Sequence, residues 1–435
     1  MHKFKSGQTI FYYDNQMNCL LDKDKNLLSK PTDLPADYIQ YCKDRNADSK
    51  KKIKKSNSPI MIKITLGQKC NYSCGYCSQR ELGQLGSPEE MKMKRDFEIA
   101  TVGNLIKDMK KYLDFGHLQR VELWGGETVL YNSEIQMIME AFDRENIVWY
   151  IPTNGTLLKE HHIEYFNTMK GTVTLGISHD GYAHEITRGK DFLKDKVEIF
   201  RLMQKYSPKI QFSMNPVISK ENYDLFKLDA FFNDFCKENN LKPFALSMEL
   251  ITVYNLAEVR GDSASYAIRS DKLEEYKMIL RKYLKEHSEN YRQKDFKMLL
   301  SNLAETGFGF IPYAKTLQQQ DILHNGSNCQ ADAEKQLTLD TSGNVKTCQN
   351  VGKEFKWGTL DKLDEVKVET LNTNKHPRCQ DCNVKFLCNS GCPIENSDEV
   401  FDTNCALYKV HYGEIQKAAL EYLFNNDVEY LGEEK

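Results

Sequence analysis

No run of apolar residues in this chain approaches the eighteen or so that a membrane-crossing helix needs, so no segment reads as a span. Residues 1–16 carry charged and polar side chains where a signal peptide needs an apolar stretch, and the expected compartment is the cytoplasm. Charge of one sign is not in excess either. The 59 Lys and Arg nearly balance the 62 Asp and Glu, and a net charge of −3 gives no overall field that recruits nucleic acid. Internal repeats and low-complexity tracts are missing, apart from one lysine run, Lys50-Lys51-Lys52-Ile53-Lys54-Lys55, followed by Ser56-Asn57-Ser58-Pro59. That run reads first as a solvated linker and second as a contact surface for an acidic partner.

What is present in quantity is cysteine, thirteen in 435 residues. In a reducing compartment that number points to metal binding or redox chemistry rather than disulfides. Cys19, Cys42 and Cys236 stand alone and read as small buried hydrophobes. The other ten fall into two groups, Cys70 to Cys77 and Cys329 to Cys405.

Between about residues 60 and 250, short apolar runs alternate with helical patterns. The runs at 59–66, 120–124, 147–151, 172–178, 210–217 and 243–250 read as six strands. Helical patterns cover 97–113, 133–142, 193–205 and 222–238. Six βα repeats predict a parallel α/β sheet, and such sheets bind ligands at the carboxyl ends of their strands. The chemically suggestive sequences follow the strands: the first cysteine group after strand one, Gly125-Gly126-Glu127 after strand two, Thr153-Asn154-Gly155 after strand three. The expected organisation is an N-terminal extension with the lysine-rich linker (1–57, with a hairpin within 8–28), an α/β domain (58–260) and a helical connector (261–324). A cysteine-rich domain (325–410) and a C-terminal helix and tail (411–435) complete it, the helix running over 406–424.

Cys70, Cys74 and Cys77 are spaced CX3CX2C, with Tyr76 before the third. Three thiols in one loop without a fourth suit a 4Fe–4S cluster with one iron free of protein ligands; a structural zinc site would want four ligands. This motif resembles the signature of the radical S-adenosylmethionine (radical SAM) superfamily. Gly125-Gly126-Glu127 resembles that family's GGE motif, with Thr128 where the family usually has Pro. Thr153-Asn154-Gly155 resembles its TNG segment. Ser178-His179-Asp180-Gly181 resembles its SLDG segment, with His179 read as a satisfied histidine or a local substrate contact. The resemblance implies a partial (β/α)6 TIM-like barrel whose open iron chelates S-adenosylmethionine. One electron would cleave the cofactor to a 5′-deoxyadenosyl radical that abstracts a substrate hydrogen. It implies cofactor contacts from Tyr76, Gly125, Gly126, Glu127, Asn154 and Ser178, and it singles out no catalytic residue.

The second group runs Cys329-X13-Gly343-X4-Cys348, then Cys379-X2-Cys382-X5-Cys388-X3-Cys392, then Cys405. This resembles the seven-cysteine SPASM domain, which implies two auxiliary 4Fe–4S clusters and three clusters in all. By that resemblance Cys379, Cys382, Cys388 and Cys405 hold one auxiliary cluster, and Cys329, Cys348 and Cys392 hold the other with an open iron. Paired zinc sites, with His324 or His376 as the eighth ligand, are the alternative on the residues alone.

The family resemblance implies a peptide or protein substrate whose side chain is modified, as in cross-link formation, and an external reductant such as a flavodoxin or ferredoxin. The alternative is a nucleotide or nucleic-acid base, for which the lysine run is the one supporting feature. Sulfatase maturation ranks lower, because Gln349 stands where the family places an acidic residue after Cys348. A non-enzymatic cluster or zinc protein ranks last.

Overall fold

The computed structural model describes residues 1–15, 19–26, 52–79, 88–253, 262–290, 331–350, 355–369, 377–388, 398–424 and 426–433. They form two compact units. One comprises residues 53–268 and 334–368; the other comprises 1–52, 269–333 and 369–435. Residues 334–368 of the cysteine-rich region belong to the α/β unit, where they pair onto its sheet.

In the second unit, β1 (His2–Ser6) and β2 (Thr9–Asp14) form a hairpin closed at Gly7, whose φ of +57° is open to glycine without strain. β3 (Cys19–Leu21) adds to β2. Together β2 and β3 form the hairpin expected within 8–28, and β1 adds a strand before it. Phe4 and Phe11 are both buried and stack across the hairpin, with ring centroids 5.5 Å apart.

The first unit is built on a nine-stranded sheet. Its parallel strands are β4 (Met61–Gly67), β5 (Arg120–Gly125), β6 (Val148–Thr153), β7 (Thr172–Ile177), β8 (Ile210–Met214) and β9 (Ala245–Leu246), ordered β9-β8-β7-β6-β5-β4. Helices α1 (Pro88–Tyr112), α2 (Asn132–Phe142), α3 (Glu160–Thr168), α4 (Val197–Lys205) and α5 (Leu225–Glu238) lie between strands in sequence. Period-two burial sorts the faces. Trp149, Ile151, Val173, Leu175 and Ile64 are buried completely on one face. Lys63, Glu122 and Tyr150 pair in register across the other.

The sequence reading of six parallel strands holds, with two differences. The expected strand at 243–250 is split: Ala245–Leu246 pairs with β8, whereas Glu249–Leu250 pairs with Val217–Ile218. Pro216, which has no N–H to give a ladder, marks the break after β8, and its carbonyl accepts instead from the Glu249 amide at 3.0 Å. Beyond β4 the sheet continues with β10 (Gln336–Asp340), parallel to β4, then antiparallel β11 (Asn344–Lys346) and β12 (Lys356–Thr359).

The lysine run is not uniformly solvated. Lys55 is buried, and its Nζ donates to the Gln336 carbonyl at 3.0 Å near the Trp357 ring. Lys50 and Lys51 lie outside the described residues, as do Cys42, His324, His376, the 291–324 part of the connector, and Cys329 and Cys392.

Candidate functional site

The loop after β4 carries Cys70, Cys74 and Cys77, all half-buried. Backbone amides face two of the sulfurs: Tyr72 N–H donates to Cys70 Sγ at 3.4 Å and Gln79 N–H to Cys77 Sγ at 3.3 Å. The Asn154 side chain reaches the same loop, donating to Asn71 Oδ1 at 2.8 Å and approaching Cys70 Sγ at 3.9 Å. Burial pushes the Cys70 thiol up to about 11 and the Cys74 thiol up to about 12, with the neighbouring thiols adding to both. Thiols so placed ionise when a positive centre lies among them. The donor set suits an iron–sulfur cluster, being three thiolates in one loop with no fourth beside them.

Gly126 serves the loop itself. A Cβ there would sit 2.3 Å from the Gln68 carbonyl oxygen, and the Gly126 and Glu127 amides donate to the Gly67 and Lys69 carbonyls at 3.0 and 2.8 Å. Only glycine lets the β5 turn lie this close to the cluster loop. Glu127 is completely buried. Its Oε1 accepts from the Thr153 hydroxyl at 2.6 Å and the Val129 amide at 3.0 Å, and its Oε2 accepts from the Asn154 amide at 2.6 Å. Burial pushes its carboxyl up, and those three donors oppose the shift. One carboxylate thus ties the ends of β5 and β6 together beside the cluster loop. The Ser178 amide donates to the Thr153 carbonyl at 2.8 Å; its hydroxyl makes no hydrogen bond among the described residues.

Tyr76 is tied into the protein by its hydroxyl. Its hydroxyl donates to Asp180 Oδ2 at 2.6 Å in a buried network that sequence reasoning missed. Asp180 also accepts from Thr187 Oγ1 at 2.7 Å and from the Val217 amide at 3.0 Å, and it pairs with Arg188 Nε at 3.0 Å. Burial alone would raise the Asp180 carboxyl, but Arg188 and the hydrogen bonds prevail and hold it below the usual carboxylate range. The Gly75 amide donates to the Thr187 carbonyl at 3.0 Å, so the network grips the cluster loop twice. His179 is the satisfied histidine. Its Nδ1 accepts from the Gly181 amide at 3.0 Å, its Nε2 faces Asp191 at 3.1 Å, and its ring stacks on His184.

Cys348 follows β11. Its neighbours Gln349 and Asn350 are held by Gln79, whose side chain donates to the Gln349 carbonyl at 3.4 Å and to Asn350 Oδ1 at 3.0 Å. Gln79 stands two residues after Cys77, so Cys348 belongs to a segment anchored on the first cysteine loop.

In the other unit, Cys379, Cys382, Cys388 and Cys405 line one cavity together with Arg378, Lys385 and Lys409. Cys405 comes from α7 (Asp398–Phe424), which follows α6 (Leu273–Asn290) in the chain and starts earlier than the 406–424 helix expected. The loop bearing the other three is clamped from two sides. Asn15 Nδ2 donates to the Gln380 and Cys382 carbonyls, both at 3.0 Å. Gln416 on α7 exchanges two hydrogen bonds with Asn383 at 2.9 and 3.0 Å. Four thiols lining one cavity suit a four-iron cluster, in which each iron would take one thiolate. Lys385 is fully buried there, and burial lowers its ammonium to about 8 against the opposing pull of Asp14, Cys379, Cys382 and Asp381.

Residues 64–230, which include the first cysteine loop and the strand-end motifs, match the family described as the Radical SAM superfamily. The chain carries a radical SAM domain. Among curated proteins it is 23% identical over 198 residues to the radical SAM cyclopropyl synthase TigE of Paramaledivibacter caminithermalis, covering 43% of this chain and 41% of that protein. It is 25% identical over 126 residues to the GTP 3',8-cyclase of Staphylococcus haemolyticus, covering 29% and 35%. These matches span less than half the length of either relative. Among solved structures, native anSMEcpe with bound AdoMet superposes with a TM-score of 0.54 at 18% identity, covering 84% of this chain and all of that one. Streptococcus suis SuiB bound to S-adenosylmethionine gives 0.50 at 16% identity, covering 86% and 84%. Likeness at this identity establishes the fold, a mixed α/β architecture with a largely parallel sheet. No helix among the described residues is long and apolar enough to cross a membrane.

Proposed function

We propose that the chain is a radical SAM enzyme that modifies a side chain of a peptide or protein and uses a C-terminal SPASM domain with two auxiliary clusters. One observation carries the reading: the CX3CX2C loop meets Gly126, Glu127 and Asn154 at the carboxyl ends of β4, β5 and β6. When bound, the cluster and S-adenosylmethionine supply the electron and the 5′-deoxyadenosyl group that takes a substrate hydrogen. The protein's own residues hold and orient. Cys70, Cys74 and Cys77 would ligate three irons. Asn154 and the Tyr76–Asp180–Arg188 network fix their loop, and Ser178 offers its hydroxyl at the β7 end. Glu127 keeps the β5 and β6 ends at fixed separation, so that the backbone around Gly125 and Gly126 faces the cofactor. Cys379, Cys382, Cys388 and Cys405 fit a fully ligated auxiliary cluster, and by the SPASM resemblance Cys348 would share a second one with Cys329 and Cys392.

A peptide substrate is supported by a solved neighbour, anSMEcpe with bound AdoMet and the Cp18Cys peptide, at a TM-score of 0.53. The match to a GTP 3',8-cyclase favours a nucleotide as second reading. The lysine run helps that reading less than its composition suggests, since Lys55 is spent on Gln336.

Anaerobically reconstituted protein should bind about twelve iron and twelve sulfide, four per cluster. With a strong reductant and S-adenosylmethionine it should release 5′-deoxyadenosine, and the Cys70→Ala, Cys74→Ala, Cys77→Ala variant should release none. Release by that variant, or stoichiometric zinc without sulfide, overturns the reading. Stimulation of turnover by GTP, but not by peptides encoded beside the gene, would favour the nucleotide.

A further inference from the structure

Three cationic side chains line the four-cysteine cavity, and their surroundings differ. Arg378 is exposed and spends its guanidinium on Asp402 at 2.6 Å and Asp398 at 3.4 Å. Lys409 is exposed on α7, where solvent and salt screen its charge. Lys385 is 1% exposed, on the short helical turn Lys385–Cys388 between two of the thiols. Asp14 and Asp381 act on it, and His2 also lies within electrostatic range. The ammonium is therefore buried beside a cavity lined by four thiols, with two acids in electrostatic range. At an effective dielectric of about 20 a charge acts about four times more strongly than in water; Lys385 is the buried one of the three cations, and it shares its action on Cys382 with Lys409, which also acts on Cys405.

Resting on the reading that Cys379, Cys382, Cys388 and Cys405 hold a 4Fe–4S cluster, we propose that Lys385 sets the reduction potential of that cluster, raising it so that the cluster accepts an electron. Reduction brings one electron from an external low-potential donor and adds one negative charge to a site already carrying four thiolates. A fixed buried cation stabilises the reduced form more than the oxidised one, which moves the potential upward. Carrying this charge on a lysine keeps it compact and lets the stem pack as apolar surface. The two acids counter part of the effect, so Asp381 pulls the potential the other way.

The full chain carrying Cys70→Ala, Cys74→Ala, Cys77→Ala and Cys348→Ala isolates this cluster for an anaerobic redox titration followed by electron paramagnetic resonance. About four iron and four sulfide per chain are expected; a protein that binds none refutes the cluster reading itself. In the protein that binds them, Lys385→Met should disfavour reduction at least about tenfold, a shift of about 59 mV to more negative potential for one electron. Lys385→Arg should keep most of the original value, and Lys409→Met should move it in the same direction as Lys385→Met. Asp381→Asn, which leaves Lys385 in place, should move it upward. An intact cluster whose potential is the same with Lys or Met at 385 overturns the proposal. If Lys385→Met binds no iron, Asp381→Asn decides alone, and an unchanged or lowered potential there overturns it equally.

Discussion

Asp180 shows how much one side chain carries in this protein. Four groups converge on it, namely Tyr76, Thr187, Arg188 and the Val217 amide, all in the protein interior. Asp180→Asn would leave Arg188 as a buried charge without its counter-ion, and breaking such a pair costs about 3–5 kcal/mol. It would also replace an acceptor by an amide facing two hydroxyl donors. The expected outcome is a lower melting temperature and a weaker hold on iron in the CX3CX2C loop, because Tyr76 and Thr187 are the loop's anchors. Calorimetry and iron analysis check this; a variant with unchanged iron content and stability would show that the loop is held from elsewhere. At this scale the sequence is legible where chemistry demands a residue type. Cysteine spacing and the strand-end GGE and TNG segments announce themselves, because ligation and close backbone approach leave few substitutes. Tyr76 was legible as an aromatic in a motif but not in its role, since its partner lies 104 residues away. Lys385 gave no signal either, because a lysine reads as solvated until its burial is known.

At the scale of elements, the parallel strands follow from period-two burial and the βα repeat, and those patterns are local. The pairing of β10 with β4 is not. It joins Gln336–Asp340 to Met61–Thr65 in register, and nothing in either segment names the other. Leu337 and Leu339 are both fully buried in that strand. Leu339→Ala should therefore cost about 2–5 kcal/mol, the range for deleting a buried leucine side chain. The loss should appear in the radical SAM unit, together with faster amide exchange in β11, which pairs with β10 through Leu339 and Val345. Exchange that stays unchanged in β11 would show that the strand trio is held by other contacts. The split of the 243–250 segment has the same origin. Its residues have strand propensity throughout, and the choice of partner was made by Pro216, far upstream in the chain.

Across the whole molecule, acid tolerance should be set by buried neutral histidines. Burial lowers His2, His162 and His411 to about 4 and His184 to about 3, from an ordinary value near 6.5. Between those limits the unfolded chain binds protons that the folded chain refuses, so stability falls as pH falls. Their contribution is complete above about pH 6.5 and is lost progressively toward pH 4 and, for His184, pH 3, at up to about 1.4 kcal/mol per pH unit for each group. The melting temperature should accordingly drop between pH 6.5 and 4 and change little from pH 7 to 8. His411→Phe should flatten part of that decline, although it sacrifices the 2.7 Å bond from Tyr276 to His411 Nδ1. A melting temperature that holds down to pH 4 would refute the assignment.

The antiparallel pairing of β1 with β13 (Val428–Glu433) couples His2 to Glu433 and Ser6 to Val428. The hairpin whose Asn15 clamps the Cys382 loop is therefore complete only once residues 428–433 have joined it. Whatever detaches that strand should loosen the four-cysteine cavity and leave the CX3CX2C loop, which belongs to the other unit, in place.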